Sequence, residues 1–298
     1  MNYIGEIAGI ATAIFWTVTS MAFQVATRRV GSLNVNIIRL FMAFVFYVLY
    51  MRMTRGLWLP TDATPEAWKW LSLSGLVGFV LGDFFLFQSY AFVSARISML
   101  MMSLAPPVAA LLGYIILGER FTLLNTVGLL MVLSGIAMVI LNRGDKTDSK
   151  RRFNYPVKGI LLAFGGAVGQ GSGAVLSKFC MASYDAFSAS QIRVIAGVFG
   201  FSLIFTLTRR WKGVFTTVKD IKAMKPILIG SFFGPFIGVG LSMVALQHTS
   251  AGIASTLMAT VPVFILLPSV LFFGEKLTWR EVLGAFITVG GIAVFFIH

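Results

Sequence analysis

Two ionisable side chains, Arg39 and Asp83, lie inside long apolar stretches of this sequence and are its best-placed candidates for chemistry. Burying an ionised group in the middle of a bilayer costs at least ~2.5 kcal/mol, so such a group usually has an opposite charge or water beside it. At a rise of 1.5 Å per residue, both are expected about 8 to 9 Å below the same surface. They could therefore pair with each other, or Asp83 could be the counter-ion of a substrate amine or a group that binds and releases a proton.

A wider set of polar and aromatic side chains on the expected interior faces could add convergent contacts to a small-molecule site. With Arg39 and Asp83, these are Trp16, Gln24, Gln88, Tyr90, Gln170, Ser172, Lys178, Gln191, Arg193 and Gln247. Lys178 and Arg193 are expected near the surface opposite to Arg39, with Glu6 and Asp185 as candidate partners. A paired lysine and arginine would also suit a phosphorylated substrate.

The composition points to a membrane protein and excludes several other classes. Of the 298 residues 57% are hydrophobic and 12% charged, against roughly 25% charged in soluble domains. The single cysteine, Cys180, and two histidines predict no disulfide, no metal site and no cofactor. Because no acid, base and nucleophile are placed together, we do not expect an enzyme. The net charge of +13 lies mostly in connections, which suits membrane lipids rather than nucleic acid.

Apolar runs long enough to cross a bilayer recur along the chain. They predict an all-α integral membrane protein with ten transmembrane helices at 4–25, 34–52, 68–89, 94–117, 122–141, 157–181, 187–208, 226–246, 252–273 and 279–297. The first five and the last five repeat one another. At an offset of 156, Gly118-Glu119 matches Gly274-Glu275 and Pro106 matches Pro262, while at an offset of 154 Ile38-Arg39 matches Ile192-Arg193.

An odd number of crossings per repeat places the two halves in opposite orientations, an arrangement found in many secondary transporters. The expected organisation is a first repeat at 1–141, a basic linker at 142–156 and a second repeat at 157–298. Of the 24 lysines and arginines, seventeen fall on the side facing away from the N-terminus. Four fall on the N-terminal side, namely Arg52, Arg55, Lys69 and Arg120. Because basic residues concentrate in cytoplasmic loops, we expect both termini on the extracytoplasmic side of a cell (inner) membrane.

Prolines interrupt the fourth and ninth predicted helices at matching depths. Pro106 and Pro107 lie in the fourth and Pro262 in the ninth. Proline removes a backbone donor and clashes with the preceding turn, so each helix should break there. The carbonyls left free need protein or water rather than lipid. The breaks are therefore expected to face the interior, either as static bends or as gating elements beside a midplane site.

These features together resemble the EamA-type family of the drug/metabolite transporter superfamily. The resemblance rests on two copies of a helix with a central proline that ends in Gly-Glu-(Arg/Lys)-x-Thr, at 117–122 and 273–278. It covers nearly the whole chain. Gly118 and Gly274 are expected to end their helices, and Glu119 and Glu275 to clamp the following hairpins at positive helix starts.

The resemblance implies a central cavity between the two repeats, alternating access, and a small-molecule substrate among metabolites such as amino acids. On this basis we expect a secondary-active carrier, an exporter or exchanger, of a small polar or zwitterionic metabolite. A phosphorylated-metabolite or nucleotide-sugar exchanger and a lipid scramblase are the alternatives. A proton is a candidate coupling ion, and the sequence fits either a monomer or a homodimer.

Overall fold

The structure, a computed structural model, describes residues 3–117, 122–140, 155–181, 184–248 and 257–295. Within these ranges the chain is helical, with no strand. The helices are α1 (Ile4–Val30), α2 (Ser32–Arg55), α3 (Pro65–Ser89), α4 (Ala95–Met102 and Ala105–Leu117), α5 (Leu123–Ile140), α6 (Val157–Met181), α7 (Ala186–Leu207), α8 (Trp211–Lys219), α9 (Ile221–Ser231, Phe232–Gly238 and Val239–His248), α10 (Val261–Phe264 and Leu266–Phe273) and α11 (Trp279–Phe295).

Eight helices in the described part of the chain are long and apolar enough to cross a membrane, namely α1 to α7 and α9. They correspond to eight of the ten predicted spans. The apolar helix α10 is shorter, and the first residues of its predicted span lie outside the described ranges. The last predicted span corresponds to α11, which has 17 residues. The prediction of a multi-pass helical membrane protein is confirmed.

Two connections differ from the sequence-based prediction. The predicted loop between the first two helices is a single residue, Gly31, whose φ of 84° is accessible to glycine without steric cost. Arg28 and Arg29 therefore lie in the last turn of α1, where positive charge is favourable. The predicted basic connection at 209–225 contains α8, a nine-residue helix that was missed because it is too short and too polar to resemble a span.

Two membrane helices change from α-helical to π-helical geometry near their middles. The π-helical segments are Leu76–Gly82 in α3 and Phe232–Gly238 in α9, so they are separated by the repeat offset of 156. Asp83 directly follows the first segment and Val239 the second. Such segments frequently occur at functional sites, and hydrophobic periodicity does not reveal them.

The two halves pack together through reciprocal helix pairs. Helix α1 packs on α9, and α3 packs on α6, while α2 contacts α7 and α5 contacts α11. Helices α1 and α9 run antiparallel, as shown by the ion pair between Arg29 and Asp220 and the hydrogen bond from Thr19 to the carbonyl of Gly230. Helices α3 and α6 also run antiparallel, and there Ser74 binds the carbonyl of Gly173 at 2.6 Å.

Glycines bring the backbones of α3 and α6 into direct contact. A Cβ atom added to Gly169 would lie 2.4 Å from the Cα of Gly82, and one added to Gly82 would lie 3.1 Å from the backbone of Gly169. The sequence predicts this close packing from small residues at every fourth position, including Gly165, Gly169 and Gly173. The resulting interface places α6 of the second half beside Asp83 of the first.

Candidate functional site

A buried ion pair joins α2 and α3 in the interior of the protein. Arg39 and Asp83 are only 4% and 5% exposed, and the guanidinium Nη2 donates to Oδ2 of the carboxylate. Their pairing is one of the alternatives that their equal depths left open. Asn36 lies one helical turn before Arg39 and accepts a hydrogen bond from its Nε at 3.0 Å. The guanidinium of Arg39 is thus held by Asp83 on α3 and by Asn36 on its own helix.

The second half of the chain completes the bonding of this carboxylate. Gln170 on α6 donates from Nε2 to Oδ1 of Asp83 at 2.6 Å, so both carboxylate oxygens have a donor. The guanidinium carbon of Arg39 lies 4.7 Å from the ring centroid of Phe87 and 5.7 Å from that of Phe23. These aromatic contacts stabilise the positive charge of Arg39. Because the guanidinium is buried away from water, it also needs the opposite charge of Asp83.

Arg193 on α7 lies beside this group but has a different environment. It is 8% exposed, and its guanidinium carbon lies 4.7 Å from the ring centroid of Phe79. A Cβ atom added to Gly78 would lie 3.4 Å from Nη2 of Arg193 and 3.8 Å from Oε1 of Gln170. No residue in the described ranges forms a hydrogen bond or ion pair with this guanidinium.

The expected partners of Arg193 were wrong. Asp185 instead begins α7, accepting a hydrogen bond from the backbone N–H of Ser188 at 2.8 Å, and lies 3.8 Å from Arg55. Arg193 forms no ion pair with Glu6 either. A depth estimate along one helix could not show that α3 passes close enough to bring Arg193 next to the Asp83 group.

Other predicted site residues lie apart from Asp83 and mostly hold the backbone. Gln24 accepts a hydrogen bond from the backbone N–H of Ala95 at 2.5 Å, at the start of α4. Gln191 donates to the carbonyl of Trp58 at 2.9 Å. The indole of Trp16 contacts the place where a side chain at Gly238 would be. These positions indicate helix connection and packing rather than one converging site.

Gln88 and Tyr90 lie at the end of α3. Gln88 accepts a hydrogen bond from Ser32 at 2.5 Å and lines a cavity of about 390 Å³ that also contacts Arg210 and Lys212. Tyr90 is buried, its ring packs against Phe87, and its carbonyl accepts from Arg28 at 3.1 Å. This cavity lies between the α1–α2 turn, the end of α3 and the segment that begins α8, and not beside Asp83.

The predicted breaks in the proline-containing helices are present. Helix α4 is interrupted between Met102 and Ala105, directly before Pro106 and Pro107. The prolines therefore occupy a first helical turn, where no N–H is required. A Cβ atom added to Gly171 would lie 2.7 Å from the carbonyl oxygen of Ala105, so α6 covers the break.

The second break lies in α10, between Phe264 and Leu266, and Pro262 is in the first turn of its leading segment. Pro262 lines a cavity of about 10 Å³ together with Arg96 and Glu281, which is room for about one water molecule. Gating at these breaks remains a prediction.

A second ion cluster connects α4 with the connection between α10 and α11. Arg96 donates from Nε to Oε2 of Glu275 at 2.9 Å, and its Nη1 lies 3.3 Å from Oε2 of Glu281. Tyr155 donates to the other oxygen of Glu281. Glu281 also accepts from the backbone N–H of Thr278 at 2.8 Å and so caps α11. The expected helix-start role of Glu275 therefore belongs to Glu281.

Sequence reasoning missed Arg96, Tyr155 and Glu281. One signal was available, because Thr278 and Glu281 have the spacing of a capping box. Gly274 ends α10 with a φ of 62°, as predicted. Gly118 and Glu119 lie outside the described residues, as do the side chains of Lys178 and Gln247.

Comparison with protein families gives a match over almost the whole chain. A model described as the EamA-like transporter family matches residues 3–141 and 157–297. A solved structure, described only as the crystal structure of a protein, has a TM-score of 0.62 to this chain. It is 18% identical and the alignment covers 99% of this chain and 96% of that one. This similarity shows a shared fold.

Curated relatives are distant and carry general descriptions. An uncharacterized transporter of Archaeoglobus fulgidus is 20% identical over 288 residues, covering 95% of each chain. The uncharacterized membrane protein YMR253C of Saccharomyces cerevisiae is 25% identical over 66% of this chain, and the match spans 47% of the yeast protein. A probable terminal-alkyne amino-acid exporter of Streptantibioticus cattleyicolor is 43% identical over 47 residues, 16% of each chain.

Proposed function

The chain belongs to the EamA-like transporter family, and from that membership we propose that it is a secondary-active carrier of a small polar or zwitterionic metabolite such as an amino acid. It works by alternating access as an exporter or exchanger. The description of one relative as an amino-acid exporter supports this substrate class, although that match is short. Ion gradients, with the proton as the candidate coupling ion, supply the driving force.

The proposed architecture is ten crossings in two inverted repeats, at 1–141 and 157–298, joined by the basic linker at 142–156. Three observations support it: the family model matches twice, the π-helical segments are 156 residues apart, and α1 runs antiparallel to α9. Because most basic residues then face the cytoplasm, both termini lie on the extracytoplasmic side of the cell membrane.

The single observation that carries the mechanism is the group formed by Arg39, Asp83 and Gln170. It links α2 and α3 of the first half to α6 of the second. When the halves rock against each other, these bonds have to be remade, because an unpaired buried charge is strongly unfavourable. A substrate ammonium group or a proton can take the place of a lost donor to Asp83, which couples binding to the motion.

The test uses purified protein in lipid vesicles and in detergent. Thermal unfolding is measured with amino acids, nucleosides and sugar phosphates, because a ligand at 100 times its dissociation constant stabilises by ~2.7 kcal/mol. Compounds that stabilise the protein are then tested as labelled substrates for exchange across the vesicle membrane. We expect exchange of at least one zwitterion. Exchange of sugar phosphates alone, or movement of fluorescent lipids between leaflets without solute exchange, would contradict the proposal in favour of its alternatives.

A further inference from the structure

We propose that Arg193 binds a carboxylate group of the transported molecule, so that the substrate supplies a counter-ion that no described residue of the protein provides. This inference rests on the proposed transport function and specifies the chemistry of its substrate. Four features of the described residues carry it: the burial of Arg193, its lack of acceptors, the asymmetry between the repeats and its position close to Gln170 of the Asp83 group.

The first step concerns the bonding of Arg193. A guanidinium group has five N–H donors and no acceptor, and buried charged groups in native proteins are paired or hydrogen-bonded. Arg193 is 8% exposed, its Nε has no hydrogen-bond partner among the described residues, and its guanidinium lies over the face of Phe79. A buried guanidinium without an acceptor is a place where an anion outside the chain can bind.

The second step compares the two repeats. Arg39 is the eighth residue of α2 and Arg193 the eighth of α7. The final segment of α3 packs on α2, and the final segment of α9 packs on α7. Those final segments begin with Asp83 and Val239 respectively. The first repeat therefore supplies Arg39 with a carboxylate, whereas the second presents an aliphatic side chain at the corresponding position.

The third step concerns the groups that neighbour Arg193. A Cβ atom added to Gly78 would be in van der Waals contact with Nη2 of Arg193 at 3.4 Å and with Oε1 of Gln170 at 3.8 Å. Arg193 therefore lies close to Gln170, which donates to both the carbonyl of Gly78 and Asp83. A zwitterion with its carboxylate at Arg193 would have its ammonium group on the side of the Asp83 carboxylate.

The fourth step concerns the charge of the ligand. The Asp83 carboxylate is already paired with Arg39, so among the described side chains Arg193 has no carboxylate of its own. A single carboxylate matches the charge and the planar fork of its guanidinium. A phosphate dianion has the same bidentate geometry but carries more negative charge, and the experiment separates the two.

Purified wild-type protein, Arg193→Gln, Arg193→Lys and Arg39→Gln are compared by thermal unfolding, first without ligand. Because Arg193 has no described hydrogen-bond acceptor and loses only its contact with Phe79, Arg193→Gln should unfold close to the wild-type temperature or above it, whereas Arg39→Gln should unfold at a lower temperature. A fall for Arg193→Gln equal to that for Arg39→Gln would mean a structural role and would overturn the inference without any knowledge of the substrate.

The ligand arm uses each common amino acid, the amine that remains when its α-carboxylate is removed, and phosphoserine with sugar phosphates. Stabilising compounds should carry a carboxylate, and the matched amines should have no effect. Arg193→Gln should raise the dissociation constant about tenfold to a hundredfold, with partial recovery in Arg193→Lys. Dependence on Arg193 that is confined to phosphorylated compounds would overturn the carboxylate assignment.

Val239→Asp is a second variant that leaves Arg193 in place. It installs the carboxylate that the first repeat has, so the protein should become more stable without ligand and lose its response to carboxylate compounds. If wild-type protein exchanges an amino acid and Arg193→Gln binds that compound with unchanged affinity, the inference fails while the transport function stands. Absence of both binding and exchange for every compound would overturn the transport function and the inference together.

Discussion

Arg96 at the start of α4 and Glu275 after the end of α10 form an ion pair between the two halves of the chain, with Nε and Oε2 separated by 2.9 Å. The pair and the neighbouring Glu281 lie beside the proline-containing segment of α10. Any motion that separates α4 from this connection has to break it. The pair therefore links the two halves of the chain at this face.

Glu275→Gln should weaken the contact between α4 and the connection that joins α10 to α11. It removes the charge that Arg96 contacts most closely, and we expect a loss of stability of about 1 to 3 kcal/mol, because a hydrogen bond to a charged group is removed in a largely buried position. Chemical unfolding of Glu275→Gln, Arg96→Gln and the double variant measures the coupling energy. Additive effects would mean that the pair contributes no interaction energy.

Asp83→Asn should impair transport and destabilise the protein by about 3 kcal/mol, because Arg39 is left as a buried charge without its partner. The matched control is Asp62→Asn, which alters a largely exposed carboxylate that pairs with Arg55 and should leave transport intact. Adding Arg39→Gln to Asp83→Asn should restore part of the lost stability. Wild-type flux in Asp83→Asn would contradict a role for this carboxylate.

Gly169→Ala should destabilise the α3–α6 interface by about 1 to 3 kcal/mol, the usual effect of overpacking, since the added Cβ would lie 2.4 Å from the Cα of Gly82. Gly290→Ala is the control, because its nearest neighbour would be 3.9 Å away. Thermal unfolding in the same detergent distinguishes the two. Equal melting temperatures would mean that the α3–α6 interface accommodates the added methyl group at no cost in stability.

The ion pair between Arg29 and Asp220 should make stability depend on acid pH. A hydrogen bond from Arg29, together with the backbone N–H groups of Ala223 and Lys222, holds the pKa of Asp220 below its ordinary value. A carboxyl group with a lowered pKa in the folded state stabilises above its unfolded pKa of about 3.9, and this contribution is lost as the pH falls through the folded value. Asp220→Asn should remove that part of the pH dependence of the melting temperature.

The orientation predicts the behaviour of reporter fusions. A reporter that is active only in the cytoplasm should be inactive when fused after His298 and active when inserted into the basic linker at 142–156, because basic connections stay in the cytoplasm. Activity of the fusion after His298 would reverse the predicted orientation.

The sequence alone determined the helical membrane class, the repeat, the two proline breaks and the helix end at Gly274. These properties depend on hydrophobicity, proline and glycine acting within a few residues of chain, so composition and spacing are sufficient to predict them. The equal depths of Arg39 and Asp83 made their pairing possible, but the sequence left it open beside a role of Asp83 toward a substrate amine or a proton.

Only the tertiary structure decided which polar groups meet across the two halves. Gln24 binds the start of α4, Glu275 contacts Arg96, and Arg193 lies next to the Asp83 group with no acceptor among the described residues. These relationships depend on the close approach of α3 to α6 and on π-helical segments that rotate the following residues about the helix axis. Rotation and approach are settled by packing between distant segments, and for that reason local sequence patterns do not contain them.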